Sequence, residues 1–158
     1  MSLRIERARF AQDAPVVRQL FMQYQAGLGI DLCFQSFEDE LRDLPGEYAE
    51  PSGAIWLAKH HSTACGCVAL RPLQPHTAEL KRMYVHPEAR GSGAGRALMH
   101  AVLDYAREQG YEWLVLDTLS RLQPAIALYR TIGFVECERY NDNPLPDVLF
   151  MRLALGVR

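Results

Sequence analysis

Seven residues, Arg90-Gly91-Ser92-Gly93-Ala94-Gly95-Arg96, place three glycines between a strand-like run ending at Val85 and an amphipathic helical stretch. Glycines let the main chain approach a ligand and turn its N–H groups inward, and the first turn of the following helix adds unpaired donors and the positive end of its dipole. That combination suits an anion, most naturally a phosphate. A helix-capping turn would need only one glycine. An NTPase P-loop requires Lys and then Ser or Thr after its last glycine, where this chain has Arg96 and Ala97. A dinucleotide fingerprint counted from Gly93 would require glycine at position 98, which is Leu98.

The second group able to do chemistry is Cys65 and Cys67, which flank Gly66 and are expected on one face of a strand, with His60 and His61 upstream. Cys-x-Cys lacks the two-residue spacing of zinc knuckles, so the pair reads as small buried side chains in a hairpin and no metal is expected. With Cys33 and Cys137 they make four cysteines in a chain without an export signal, which favours reduced thiols.

Around these groups the hydrophobic pattern sets out the elements. Leu3 to Phe10 alternates like a half-buried strand. Asp13 and Pro15 open a helix whose apolar face is Val16, Val17, Leu20, Phe21 and Tyr24, and Gly27 and Gly29 close it. Ser36 and Asp39 start a short second helix that runs to Pro45. Ala54–Ala58 and Cys65–Leu70 read as an antiparallel hairpin, and Arg71–His76, with Pro72 and Pro75, is not expected to continue a central strand. A strand over Ala78–Val85 precedes the glycine loop. The helix from Gly93 to Gln109 follows, capped at Gly110. Trp113–Leu116 is a continuous apolar run suited to a strand covered on both faces. Ser120 and Gln123 have the capping-box pattern for a last helix ending at Gly133. Phe134–Tyr140 and Val148–Leu155 are the closing strands, joined by a turn-rich stretch through Pro144 and Pro146. The order βαα, ββ, βαβα, ββ argues an α+β domain with one central βαβ unit.

The bulk properties agree with one soluble domain. The chain has 158 residues, 49% hydrophobic and 23% charged, enough to bury one core and too few for two. A net charge of -2 gives no field for nucleic acid or anionic lipid. No apolar run reaches the ~20 residues of a membrane span, and the N-terminus has no signal-peptide h-region. Residence in the cytoplasm is expected, with neither nucleic acid nor membrane as partner.

The loop and its context resemble the GNAT superfamily of acyl-CoA N-acyltransferases. That family's pyrophosphate loop reads Arg or Gln, two residues, Gly, one residue, then Gly or Ala, and Arg90 to Gly95 match it throughout. Leu80-Lys81-Arg82-Met83-Tyr84-Val85-His86-Pro87 is similar to the family's fourth strand, and Ala125 to Phe134 to its last helix and the strand entry after it. The resemblance is strong over about Glu79–Phe134. It implies a central mixed, mostly antiparallel sheet of about seven strands, splayed at a parallel pair of strands four and five and flanked by about four helices. It also implies acetyl-CoA as acyl donor. Its pyrophosphate would be held by Arg90, Gly91, Ser92, Gly93, Ala94, Gly95 and Arg96, and its pantetheine arm by the main chain of Met83, Tyr84 and Val85. Family members often carry Asn where this chain has Leu122, so a polar contact to the cofactor is either missing or supplied by Ser120.

For the chemistry, the resemblance implies Glu79, eleven residues ahead of Arg90, as catalytic base, and Tyr129 as the acid near sulfur. A base is useful because an alkylamine with pKa ~10.4 is neutral about one part in a thousand at pH 7.4, a cost of roughly 4 kcal/mol. A phenol near ~10 facing a thiol near ~8.5 gives up its proton at a cost of about 2 kcal/mol, so Tyr129 is expected to hydrogen-bond the thiolate instead of fully protonating it. The alternatives are that Glu79 is a solvated strand-end carboxylate paired with Lys81 or Arg82, and that Tyr129 is core. By analogy the acceptor lies among Tyr24, Leu28, Phe34 and Tyr140, with Asp31, Glu38 and Asp142 able to attract a cationic amine. His86 and His100 are read as strand-exit and exposed helix residues. The expected activity is N-acetyltransfer to a primary amine of a small, amino-acid-like molecule. A protein N-terminal or Lys acetyltransferase and a catalytically inactive acyl-CoA sensor are the alternatives. A homodimer is the family's common habit.

Overall fold

A computed structural model describes residues 3–32 and 36–156; the candidate acceptor residue Phe34, like Cys33, lies outside them. The described residues form a seven-stranded sheet of order β1-β2-β3-β4-β5-β7-β6. Its strands are β1 (Leu3–Arg7), β2 (Ala54–His60), β3 (Thr63–Gln74), β4 (Thr77–Val85), β5 (Trp113–Leu119), β6 (Val135–Glu136) and β7 (Val148–Ala154), and its helices are α1 (Ala14–Leu28), α2 (Phe37–Arg42), α3 (Ala94–Glu108) and α4 (Gln123–Ile132). All pairings are antiparallel except β4 with β5. The expected α+β architecture and the parallel fourth and fifth strands are therefore present. None of the described helices is long and apolar enough to cross a membrane.

The sheet is covered on both faces, which is why β2 reads as an unbroken apolar run. Alternate residues go to different cores. Ile55, Leu57, Cys67 and Ala69 meet Val17, Leu20, Phe21 and Phe37 of α1 and α2. Trp56, Val68, Leu70, Leu114 and Leu116 meet Leu98, Met99 and Val102 of α3 and Tyr129 of α4.

Four expectations are corrected. Strand β3 continues through Pro72 to Gln74, because β2 stops pairing at Leu70 and this stretch, paired with β4 alone, is an edge where proline is tolerated. Cys65 and Cys67 do not share a face: an extra residue in β3 opposite Ala58 and Lys59 sends Cys65 into the α3 core and Cys67 into the α1 core. Strand β6 is only two residues long, because beyond Cys137, whose N–H donates to the Phe150 carbonyl, the chain leaves the ladder. The Ser120–Gln123 capping box does not form. Leu122 occupies the N-cap position of α4, and the Gln123 amide donates to the Ser120 carbonyl.

Gly66 sets the spacing of β3 and β4. A Cβ there would lie 2.7 Å from the Tyr84 carbonyl oxygen, which is main chain and cannot step aside cheaply. Gly66→Ala is expected to cost about 2 kcal/mol, within the range for overpacking, and to lower the melting temperature by roughly 4–8 °C for a domain of this size. Calorimetric unfolding of the two proteins checks this, and a melting temperature within a degree of the parent would refute it.

Candidate active site

The sheet opens at its centre. Strand β4 pairs with β5 through Thr77, Ala78 and Glu79, and among the described residues no strand pairs with it on that side from Leu80 onward. A bulge helps it turn away: between the pairs Cys67–Tyr84 and Ala69–Lys81, β4 carries one residue more than β3. The bulge residue is Arg82, at φ 58°, a left-handed conformation that costs a side-chain-bearing residue on the order of 1–2 kcal/mol. Its guanidinium is held in return. It donates two 2.9 Å hydrogen bonds to the Glu40 carboxylate of α2 and lies over the rings of Phe37 and Tyr24. The Cys67 thiol donates to the Arg82 carbonyl at 3.3 Å.

Along the opening lie three cavities, each sharing lining residues with the next. The first, about 370 Å³, is lined by Tyr24, Met83, Val85, the loop residues Arg90, Gly91, Gly93, Ala94 and Gly95, and the α4 residues Ala125 and Leu128. Gly91 and Gly93 sit at φ 84° and 91°, and Cβ atoms added to either would meet nothing within 4 Å, so both face open space. Among the described residues, Ser92 Oγ is the one buried side-chain oxygen or nitrogen without a hydrogen-bond partner. Glycine main chain facing open space at the start of α3 fits an oxyanion, and the unpartnered Ser92 hydroxyl stands beside it without itself lining the cavity. Leu122 walls this cavity with hydrocarbon, while Ser120 is exposed and does not line it. Arg90 is exposed with Nε on the Val85 carbonyl, and Arg96 is exposed on the first turn of α3.

The second cavity is a slot of about 50 Å³ between β4 and β5, where Tyr24, Met83, Lys81, Arg82, Asp117, Leu122 and Tyr129 converge. Tyr129 is 5% exposed, and burial pushes its phenol well above the ordinary value. The third cavity, about 460 Å³, shares Lys81, Arg82 and Asp117 with the slot and opens among Asp39, Glu40, Asp43, Glu47, Arg71 and the Asn141–Asn143 turn. Asp117 accepts from the side-chain amides of Asn141 and Asn143, which fixes that turn against β5.

Glu79 has no exposed surface and lines none of the three cavities. It is not solvated. One carboxylate oxygen accepts from Arg71 Nε at 2.7 Å and the other from the Tyr140 hydroxyl at 2.5 Å. Arg71 also reaches Glu47. The segment after β6 brings Tyr140 there, resting its ring on Phe150 with centroids 5.2 Å apart. The negative charge raises the Tyr140 phenol far above its ordinary value, with burial the larger cause.

The expected residues thus separate. Tyr24 lines both the first cavity and the slot, Leu28 lines the first, and Asp142 lines the third. Asp31 and Glu38 are exposed and line none of these three cavities. Arg71, Lys81, Arg82 and Asp117 escape sequence reasoning, although charged residues inside strands otherwise built to be buried are a readable signal.

The family model for the acetyltransferase (GNAT) family matches residues 17–134. The chain belongs to this family. As a GNAT N-acetyltransferase it is 39% identical over 157 residues to an uncharacterized N-acetyltransferase of Schizosaccharomyces pombe, covering 98% of this chain and 96% of that one. It is 31% identical over 128 residues to the uncharacterized Escherichia coli N-acetyltransferase YjgM, covering 78% and 77%. Its fold matches a GNAT acetyltransferase from Staphylococcus aureus with a TM-score of 0.81 at 23% identity, over 98% of this chain and all of that one. It also matches yncA, a putative acetyltransferase from Salmonella typhimurium solved with its cofactor acetyl-CoA, with a TM-score of 0.72 at 21% identity over 100% and 96% of the chains. The enzyme is an acyltransferase of α+β architecture.

Proposed function

We propose that the enzyme moves an acetyl group from acetyl-CoA to the primary amine of a small, amino-acid-like acceptor by direct attack of nitrogen on the thioester. One observation carries this reading: three cavities share walls in series, the glycine-loop cavity and the slot at Tyr129 through Tyr24, Met83, Leu122 and Ala125, and the slot and a charged chamber through Lys81, Arg82 and Asp117. The loop from Arg90 to Arg96 would hold the diphosphate through main-chain N–H groups and Ser92 Oγ. The unpaired side of β4 at Met83, Tyr84 and Val85 offers main-chain groups to the amide-bearing pantetheine arm. Bound acetyl-CoA supplies the activated acyl carbon.

The chamber's lining carries six carboxylates, from Asp39, Glu40, Asp43, Glu47, Asp117 and Asp142, against the three cations Arg71, Lys81 and Arg82. That excess favours a cationic acceptor. Glu79 serves as its base through the Tyr140 hydroxyl it already holds, receiving a proton as the hydroxyl takes one from the amine. Tyr129, kept neutral by burial, hydrogen-bonds the departing sulfur. A cytoplasmic location belongs to the same reading, as does a homodimer formed along the exposed β6 edge at Val135.

The test is thiol release from acetyl-CoA with a panel of polyamines, amino acids and short peptides. Release with small amines is expected. Release with peptides alone would shift the assignment to a protein substrate, and tight coenzyme binding without any release would reduce it to a sensor. With the best amine, Tyr129→Phe is expected to lower turnover by one to two orders of magnitude, about the value of a single donor. Unchanged turnover would remove Tyr129 from the mechanism.

A further inference from the structure

The slot between β4 and β5 shares walls with both the donor and the acceptor cavity, and Tyr24, Lys81, Arg82, Asp117 and Tyr129 are the ionisable side chains lining it. Of the residues lining the slot, only Lys81, Arg82 and Asp117 also line the acceptor chamber. Arg82 is committed to Glu40 by two hydrogen bonds and is never deprotonated. Asp117 is engaged by Asn141 and Asn143 and, as an anion, repels a thiolate. Lys81, 8% exposed, is the cation that can both donate and take back a proton.

We propose that Lys81 is the catalytic acid of the acetyl transfer, protonating the coenzyme A thiolate as it leaves, while Tyr129 only hydrogen-bonds the sulfur. The proposal rests on reading the slot as the place of acyl transfer. The acceptor nitrogen forms its bond to the acetyl carbon and the carbon–sulfur bond breaks, with its electron pair on sulfur. The Lys81 ammonium gives that sulfur a proton, and the proton shed by the new amide nitrogen passes through Tyr140 to Glu79. Once the products leave, Glu79 returns its proton through the half-buried Tyr140 hydroxyl, and Lys81, which lines the acceptor chamber, takes one up from solvent there, so the reaction closes as amine plus thioester giving amide plus thiol.

Proton affinities run in the required direction. Burial and then Arg82 hold the Lys81 ammonium below its ordinary value, toward that of a thiol, while Glu79 and Asp117 oppose and Arg71 adds to the lowering. Tyr129 and Tyr24, facing the slot from α4 and α1, are pushed up by burial, away from the thiol. An acid matched to its leaving group outperforms one far above it.

The test uses coenzyme A alone as probe. The thiolate absorbance of protein-bound coenzyme A is titrated against pH for the parent, Lys81→Gln and Lys81→Arg, with affinity measured by calorimetry. The bound thiolate fraction near neutral pH is expected to fall about tenfold in Lys81→Gln, the effect of one unit in the thiol's pKa. In Lys81→Arg it is expected to stay high while turnover with the best amine falls. Equal thiolate fractions in the parent and a folded Lys81→Gln overturn the proposal while leaving the acetyltransferase reading intact. If Lys81→Gln does not fold, parental turnover in Lys81→Arg overturns it, because a guanidinium cannot give up the proton. A parent that binds no coenzyme A overturns the reading beneath it.

Discussion

Replacing Gly93 with valine is expected to weaken coenzyme A binding by about a hundredfold. Gly93 is the N-cap residue of α3 at φ 91°, and a β-branched residue there is an outlier costing on the order of 1–3 kcal/mol. The main chain would relax away from this geometry and re-aim the N–H groups of the first turn. The added methyls would stand in the open space that the glycine leaves, where even a Cβ has no neighbour within 4 Å. Loss of about two hydrogen bonds to a charged group, taken at the lower end of their worth at roughly 1.5 kcal/mol each, gives the hundredfold figure. Calorimetric titration with coenzyme A measures it. Ser92→Ala should lose less, about tenfold, because one hydroxyl is removed and the main chain stays in place. Affinity within threefold of the parent in Gly93→Val would show that the diphosphate lies elsewhere.

Removing the Glu79 carboxylate should have the largest effect on stability. Glu79→Ala leaves Arg71 with only its more exposed partner Glu47 and strands the Tyr140 hydroxyl, opening a hole in a region with no solvent access. Breaking a buried pair by deleting one member costs about 3–5 kcal/mol, which for a chain of this length is a drop of roughly 10 °C in melting temperature. Glu79→Gln separates structure from catalysis. It keeps the shape and an acceptor oxygen, should fold with a smaller loss, and should bind coenzyme A normally, because Glu79 does not line the donor cavity. Its turnover should fall by about two to four orders of magnitude if the carboxylate takes the proton. A folded Glu79→Gln with parental turnover would confine Glu79 to holding Arg71 and Tyr140.

The donor half of the site is legible in the chain because its determinants are local. A glycine-rich loop between a strand and an amphipathic helix specifies main-chain donors, helix terminus and close approach within a few consecutive residues, and hydrophobic periodicity places the elements on either side. Even the burial of Tyr129 follows from helical spacing beside Ile126 and Ile132. The acceptor half has no such signature. Its walls come from α2, β3, β4, β5 and the turn after β6, and their side chains meet only because the sheet splays after Glu79 and bulges at Arg82. A one-residue bulge changes which face a side chain occupies. Alternation alone therefore could not show that Arg82 joins Lys81 in one cavity, or that Cys65 and Cys67 part company. Glu79 illustrates the division. Its place at the start of β4 could be read along the chain, but its partners Arg71 and Tyr140, 8 and 61 residues away, were chosen by packing. A fully buried carboxylate must find its donors wherever the fold delivers them.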